Sequence, residues 1–327
     1  MVPRQDVVAL TKKASERCAK PQHNKEQCYA RELEKVAFAY GRDDAIAVLN
    51  SLRANYATEY ECHFIAHGIG WGLYKRDPAR WREQALADSG DCNYGIFHGI
   101  MEYYAAELPK EERLTDNIIS ICGQKPTADC LHSIGHVLMV MENGDTNKAL
   151  TDCDSYVDGL QRSRCYSGVF MEVLTGYMLV EHKLAPQSYL DWDAKMGEFG
   201  SICRSYSLDR AAMCWQEIIH PAIVVFEYDA KKVISFCKNA PFHQAQENCI
   251  GHAIGILTVH RNFNLEEARD VCAVFPQDRD FIRRCYITLV GTQLEEGIEY
   301  RHKSVEFCNS IEAQYQSDCF GVINTFL

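Results

Sequence analysis

The chain is predicted to be all-α: tandem helical hairpins with a period of about 35 residues, stapled by disulfides and bent into a strongly curved solenoid or an α/α ring. Three observations predict this: cysteines at a nearly fixed beat, apolar residues at helical spacing inside each beat, and turn and cap residues at matching places between helices. Cys28, Cys62, Cys92, Cys130, Cys165, Cys214, Cys249, Cys285 and Cys319 follow one another at steps of 34, 30, 38, 35, 49, 35, 36 and 34 residues. Cys18, Cys122, Cys153, Cys203, Cys237, Cys272 and Cys308 form a second series, each 8 to 13 residues ahead of a beat cysteine.

The repeat that begins at Cys249 displays the elements in order. Ile250, Ala253, Ile254, Leu257 and Val259 recur at helical rather than alternating spacing. The polar stretch Arg261-Asn262-Phe263-Asn264 ends that helix, and Asn264 with Glu267 forms a capping box that starts a second helix running through Cys272. The same order recurs from Cys130, with Asn143-Gly144-Asp145 as the turn and Cys153 ending the second helix, and again from Cys214 to Cys237. The step of 49 residues between Cys165 and Cys214 breaks the rhythm, so the added residues near 185–199 are expected to form a protruding loop or short helix. With residues 1–17 as an irregular lead-in, the beat makes residues 1–327 a single helical-repeat domain.

The two cysteine series give seven local pairs, each joining the end of one hairpin to the start of the next. Cys62 and Cys92 lack such a neighbour; they bridge each other, or stay free as thiolate ligands or a redox pair. The even count of 16 favours a disulfide framework, and no C-x-x-C occurs to suggest a zinc ribbon or a thioredoxin-like motif. Disulfides on this scale imply an oxidising compartment, and the chain is expected to be secreted, periplasmic or at the cell surface. Met1 to Asp6 contain no apolar leader core, and no stretch reaches the length of a membrane span.

In period and cysteine placement, from Cys18 to Cys319, the chain resembles disulfide-stapled helical-hairpin repeats of the Sel1-like and tetratricopeptide type. That resemblance implies architecture and no particular function. A net charge of −11 without a Lys/Arg stripe excludes a nucleic-acid partner, since nothing would neutralise phosphates.

Chemistry is indicated by a stripe of ligand-type side chains. With the first helices of successive repeats aligned, one position reads His67, His98, His136, Glu172 and His220. One turn away lie His63, Glu102 and His132, so three consecutive helices carry H-x-x-x-H, H-x-x-x-E and H-x-x-x-H. Residues at i and i+4 share a helix face, which aims His63, His67, His98, Glu102, His132 and His136 at one space as metal ligands. Glu217 with His220, and His252, are weaker additions. Adjacent helices pack about 8–10 Å apart, so one shared ion requires strong curvature or a closed ring. Imidazole and carboxylate together suit Zn, Fe, Cu or Mn. Glu102 and Glu172 are the candidate catalytic acid/base groups. His23, His182, His243, His260 and His302 read as solvated. Glycines beside the histidines, among them Gly68, Gly70, Gly99 and Gly135, weaken a helix by about 1 kcal/mol each against Ala and imply close helix packing or backbone approach to a ligand.

The sequence therefore supports a metal-dependent enzyme acting on a small-molecule or peptide substrate, or a metal-binding protein. The competing reading is an extracellular interaction scaffold with a protein partner on its concave face, or a self-assembling repeat protein. H-E-x-x-H, G-x-S-x-G and phosphate-binding loops are absent, which leaves no named catalytic mechanism.

Overall fold

The computed structural model describes residues 6–19, 25–56, 62–88, 92, 94–107, 122, 128–155, 158–261, 264–296 and 300–325. Their regular structure is helical throughout: α1 (Val7–Cys18), α2 (Lys25–Tyr40), α3 (Arg42–Tyr56), α4 (Cys62–Arg76), α5 (Trp81–Leu86), α6 (Gly95–Glu107), α7 (Ala128–Met141), α8 (Thr146–Cys153), α9 (Gly159–Thr175), α10 (Tyr177–Glu181), α11 (Trp192–Arg204), α12 (Leu208–Glu217), α13 (Ile219–Val225), α14 (Ala230–Cys237), α15 (His243–His260), α16 (Leu265–Cys272), α17 (Arg279–Glu296), α18 (Arg301–Ser310) and α19 (Ala313–Thr325). Among the described residues no helix is long and apolar enough to cross a membrane. The helices group into two compact units, Met1–Lys195 and Met196–Leu327, within what the cysteine beat presents as one array.

All sixteen cysteines are bridged, in the seven local pairs and Cys62–Cys92. The caps follow the sequence closely. Asn264 caps α16 by accepting from the Glu267 N–H, and its side-chain amide, in place of its backbone N–H, donates to Glu267 Oε1 at 2.7 Å. Asn143 and Gly144 take φ of 53° and 79°, and Asp145 then caps α8 by accepting from the Lys148 N–H.

One expectation needs correction, and one pair of alternatives is decided. Residues 7–17 of the expected irregular lead-in lie in α1, because Asp6 is an N-cap accepting from the Val8 and Ala9 N–H groups, and Ala14 and Cys18 are buried. Of the two forms expected near 185–199, a protruding loop or a short helix, the structure shows the second. These residues form the short 3₁₀ turn Gln187–Leu190 and the first half of α11, with Leu190 and Trp192 buried. Tyr189 Oη donates to the Val173 carbonyl at 2.8 Å and Trp192 Nε1 to the Thr175 carbonyl at 3.1 Å. Paired aromatic N–H and O–H groups thus let an apparent insertion lie down against α9. His23, Asn262 and Phe263 fall outside the described residues.

In the first unit the glycines set helix separation. A Cβ on Gly68 would overlap the Ala30 carbonyl of α2, one on Gly99 the His67 carbonyl of α4, and one on Gly168 the His132 carbonyl of α7. Gly70 and Gly99 face each other, as do Gly135 and Gly168, so α4–α6 and α7–α9 approach backbone to backbone. We expect Gly99→Ala and Gly168→Ala each to cost about 1–3 kcal/mol by forcing these helices apart. Urea unfolding measures this, and wild-type stability in both variants would show that the close approach is not required. After α9, the chain returns to its start. Phe64 of α4 stacks on Tyr177 with centroids 3.7 Å apart, Glu181 pairs with Arg31 of α2, and Gln187 meets Gln27 at 3.2 Å.

Candidate metal centre

Five imidazoles from three helices meet in the interior of the first unit. His63 and His67 come from α4, His98 from α6, and His132 and His136 from α7. Ring centroids of His98 lie 4.7, 5.4, 5.4 and 5.3 Å from those of His63, His67, His132 and His136. The two H-x-x-x-H pairs face each other, with His67 and His136 centroids 5.8 Å apart. Exposure of His67, His98 and His136 is only 1–2 %.

Each of the four paired rings has a polar partner outside the cluster within 3.0 Å of Nδ1. His63 Nδ1 meets the Cys92 carbonyl at 3.0 Å, and His132 Nδ1 the Ser167 hydroxyl at 2.9 Å. His136 Nδ1 lies 2.5 Å from Glu172 Oε1. His67 Nδ1 lies 2.8 Å from Glu102 Oε1, at ion-pair distance without hydrogen-bond alignment. With Nδ1 engaged, the Nε2 atoms converge: His63 and His67 at 3.1 Å, His132 and His136 at 2.9 Å. Two donor atoms sharing an ion at about 2.0–2.1 Å sit about 2.8–3.4 Å apart, the separation seen in both pairs. Orienting a ligand imidazole through its second nitrogen is the usual outer arrangement of a metal site. His98 differs, since both its ring nitrogens are buried without a hydrogen-bond partner.

Local structure explains how the acceptors reach their places. Cys92 and Tyr94 adopt φ of 53° and 59°, a costly region for residues other than glycine, in the turn that leads into α6. The Cys62–Cys92 bridge ties this turn to the residue preceding His63, aiming the Cys92 carbonyl at that ring. At the end of α9, Gly176 in the left-handed region (φ 73°) donates to the Glu172 carbonyl. That reversal brings the Met178 N–H to Glu172 Oε2 at 3.0 Å. Glu102 Oε2 accepts from Trp71 Nε1 at 2.8 Å.

Burial dominates the electrostatics. It pushes His67 and His98 well below the ordinary imidazole range, with neighbouring histidines adding to the effect, so both are neutral at pH 7. It pushes the Glu172 carboxyl up to about 8, against the Met178 N–H, and Glu102 well above the usual carboxylate range, with the Glu172 charge adding to burial.

Of the side chains read from the stripe, His63, His67, His98, His132 and His136 meet in the first unit with Glu102 and Glu172 beside them. Donor atoms of His63, His98, His132 and His136 lie within 4.8 Å of one another, as do those of Glu102, His136 and Glu172. The cluster is geometrically able to hold a metal. Glu102 and Glu172 take the side facing Nδ1, where they orient His67 and His136. Sequence reasoning missed Ser167, Trp71 and the Cys92 carbonyl. Ser167 alone had a signal, standing immediately before the Gly168 that packs against the His132 carbonyl.

His220 is not part of this group, because it lies in the second unit with Glu217 and His252. His182, read as solvated, is largely buried 5.1 Å from the Tyr103 ring, and burial pushes it down to about 4. The apolar flank of α6 and α7, which the local sequence after Glu181 does not announce, covers it. His260 stacks on Tyr228 at 3.8 Å, while His243 and His302 are exposed. A cavity of about 220 Å³ beside His182 is lined by Ala105, Val140, Met141 and Leu184 and includes no member of the histidine cluster. No protein family, curated protein or solved structure matches the chain.

Proposed function

We propose that this is a metal-binding protein of an oxidising compartment, secreted or periplasmic. Tandem helical hairpins would bring His63, His67, His98, His132 and His136 to one transition-metal centre, with Glu102 and Glu172 as its charge-compensating carboxylates. The observation that carries this reading is His98. A buried imidazole with neither nitrogen hydrogen-bonded costs about 1–3 kcal/mol per group, a cost that an ion bound at its nitrogen removes. Eight disulfides support the compartment. An inner set made of imidazole favours Zn, Cu or Fe over Mn, which prefers oxygen ligands. Because the carboxylates face the outer nitrogens, they support holding and tuning an ion. Catalysis at so buried a centre would be confined to small substrates.

Elemental analysis of untagged protein, purified without reductant and dialysed against chelator, tests the reading. One or two retained transition-metal equivalents are expected. None, even after reconstitution with Zn(II), Cu(II) or Fe(II), would leave the histidines as core packing and return the protein to the scaffold reading.

A further inference from the structure

The second unit contains a separate set of donors, which the first centre does not use. α12 stops at Glu217 and α13 restarts at Ile219. Pro221 is the cause: it has no N–H to offer the Glu217 carbonyl, and its ring crowds that carbonyl. The break leaves Glu217 and His220 three positions apart, 1 % and 6 % exposed, with His220 Nε2 at 3.3 Å from Glu217 Oε2. Gln216 fixes the carboxylate by donating to Glu217 Oε1 at 2.7 Å. From α15, half-buried His252 points Nε2 at His220 Nε2, 3.0 Å away. Asn248, one turn earlier on α15, reaches the Ala212 carbonyl of α12 at 3.5 Å and sets the register between the helices.

We infer that Glu217, His220 and His252 form a second, mononuclear site for a divalent first-row cation. His220 Nε2 stands between Glu217 Oε2 at 3.3 Å and His252 Nε2 at 3.0 Å. A shared cation serves all three donor atoms, which lie within 4.8 Å of one another. Two imidazoles and one carboxylate leave coordination positions open, the arrangement of catalytic zinc and non-haem iron sites. Each centre has one part-exposed imidazole, His132 in the first and His252 here.

Co(II) titration followed by its ligand-field absorption tests the inference. His98→Leu serves as the background, so that the first centre does not obscure the second. One equivalent is expected in that background, and adding His252→Ala should weaken it at least about 100-fold. Glu217→Gln, which keeps the carboxyl shape, should also weaken binding and alter the spectrum, a readout that guards against a folding defect in the alanine variant. Equal Co(II) uptake with and without His252 would overturn the site and leave a hydrogen-bonded histidine pair. In otherwise wild-type protein, His252→Ala should lose this one equivalent and keep the first centre, so failure of either centre is recognised independently.

Discussion

Replacing His98 with leucine is expected to raise the stability of metal-free protein and to abolish most of the stabilisation that metal confers. The two buried ring nitrogens of His98 have no hydrogen-bond partner, and each such group costs about 1–3 kcal/mol. Leucine fills similar space without polar atoms, so the chelated variant should gain about 2 kcal/mol, roughly 4–8 °C in Tm for a unit of this size. Wild-type protein at a thousandfold excess of Zn(II) over Kd gains about 4 kcal/mol, and the variant should gain little of it. Thermal unfolding by circular dichroism, with chelator and with saturating Zn(II), reads both signs. If His98→Leu destabilised the chelated protein and left the metal increment intact, His98 would be a packing residue.

The other four histidines make poorer probes. Truncating His67 or His136 strips the partner from buried Glu102 or Glu172, and truncating His63 or His132 frees the Cys92 carbonyl or the Ser167 hydroxyl. Each of those variants would lose stability for reasons unrelated to an ion. Only at His98 do the metal and packing readings predict opposite signs.

The framework was legible because its signals are local. A cysteine 8 to 13 residues ahead of its partner can be paired from spacing alone, and Asn264 with Glu267 announces a helix start within four residues. The same locality explains the misses. Asp6 caps α1 as a lone residue without a partner carboxylate three positions on, so it carries half the usual signal. Leu190 and Trp192 look like part of an insertion until the Thr175 and Val173 carbonyls, more than a dozen residues away, are seen to receive Trp192 and Tyr189.

The site was legible as a set of side chains but not as an arrangement. Helical spacing of four puts His63 with His67, and His132 with His136, on one face each, and this much a sequence states. Whether three helices bring those faces to one point depends on how closely backbones approach. The glycines answered that question, since Gly70 against Gly99 and Gly135 against Gly168 remove the side chains that would hold the helices apart. The roles of Glu102 and Glu172 could not be read, because ligand and outer partner differ only in which imidazole nitrogen the carboxylate faces.

That placement leads to a second large effect: metal uptake near neutral pH should release about two protons per ion, with affinity rising up to about 100-fold per pH unit. Burial raises both carboxyls, Glu172 to about 8, which leaves it neutral at pH 7, and Glu102 well above the usual carboxylate range. A neutral Glu172 donates its proton to His136 Nδ1, leaving that ring to donate from Nε2 to His132 at 2.9 Å, and His132 to donate from Nδ1 to Ser167. Glu102, His67, His63 and the Cys92 carbonyl stand in the same order, with His67 Nδ1 2.8 Å from Glu102 Oε1 but not aligned as a hydrogen bond. An ion needs the lone pairs on both Nε2 atoms. One proton must therefore leave each chain, the carboxyl becomes a carboxylate, and Nδ1 keeps its hydrogen. A dication enters as two protons depart, so the buried charge does not change.

The stability of chelated protein should follow the same logic. Glu172 binds more protons folded than unfolded, so its contribution is full below the ordinary carboxylate value and is lost as pH rises through about 8. His67 and His98 act in the opposite sense, losing stability as pH falls through the ordinary imidazole value and below. Metal should thus stabilise increasingly as pH rises. Calorimetric titration with Zn(II) in buffers of different ionisation enthalpy counts the protons directly. Glu102→Gln and Glu172→Gln should each remove one, because an amide has no acidic proton to give up. Affinity independent of pH between about 6 and 8 would mean that the carboxyls are already ionised before metal arrives, and that the two proton chains do not operate.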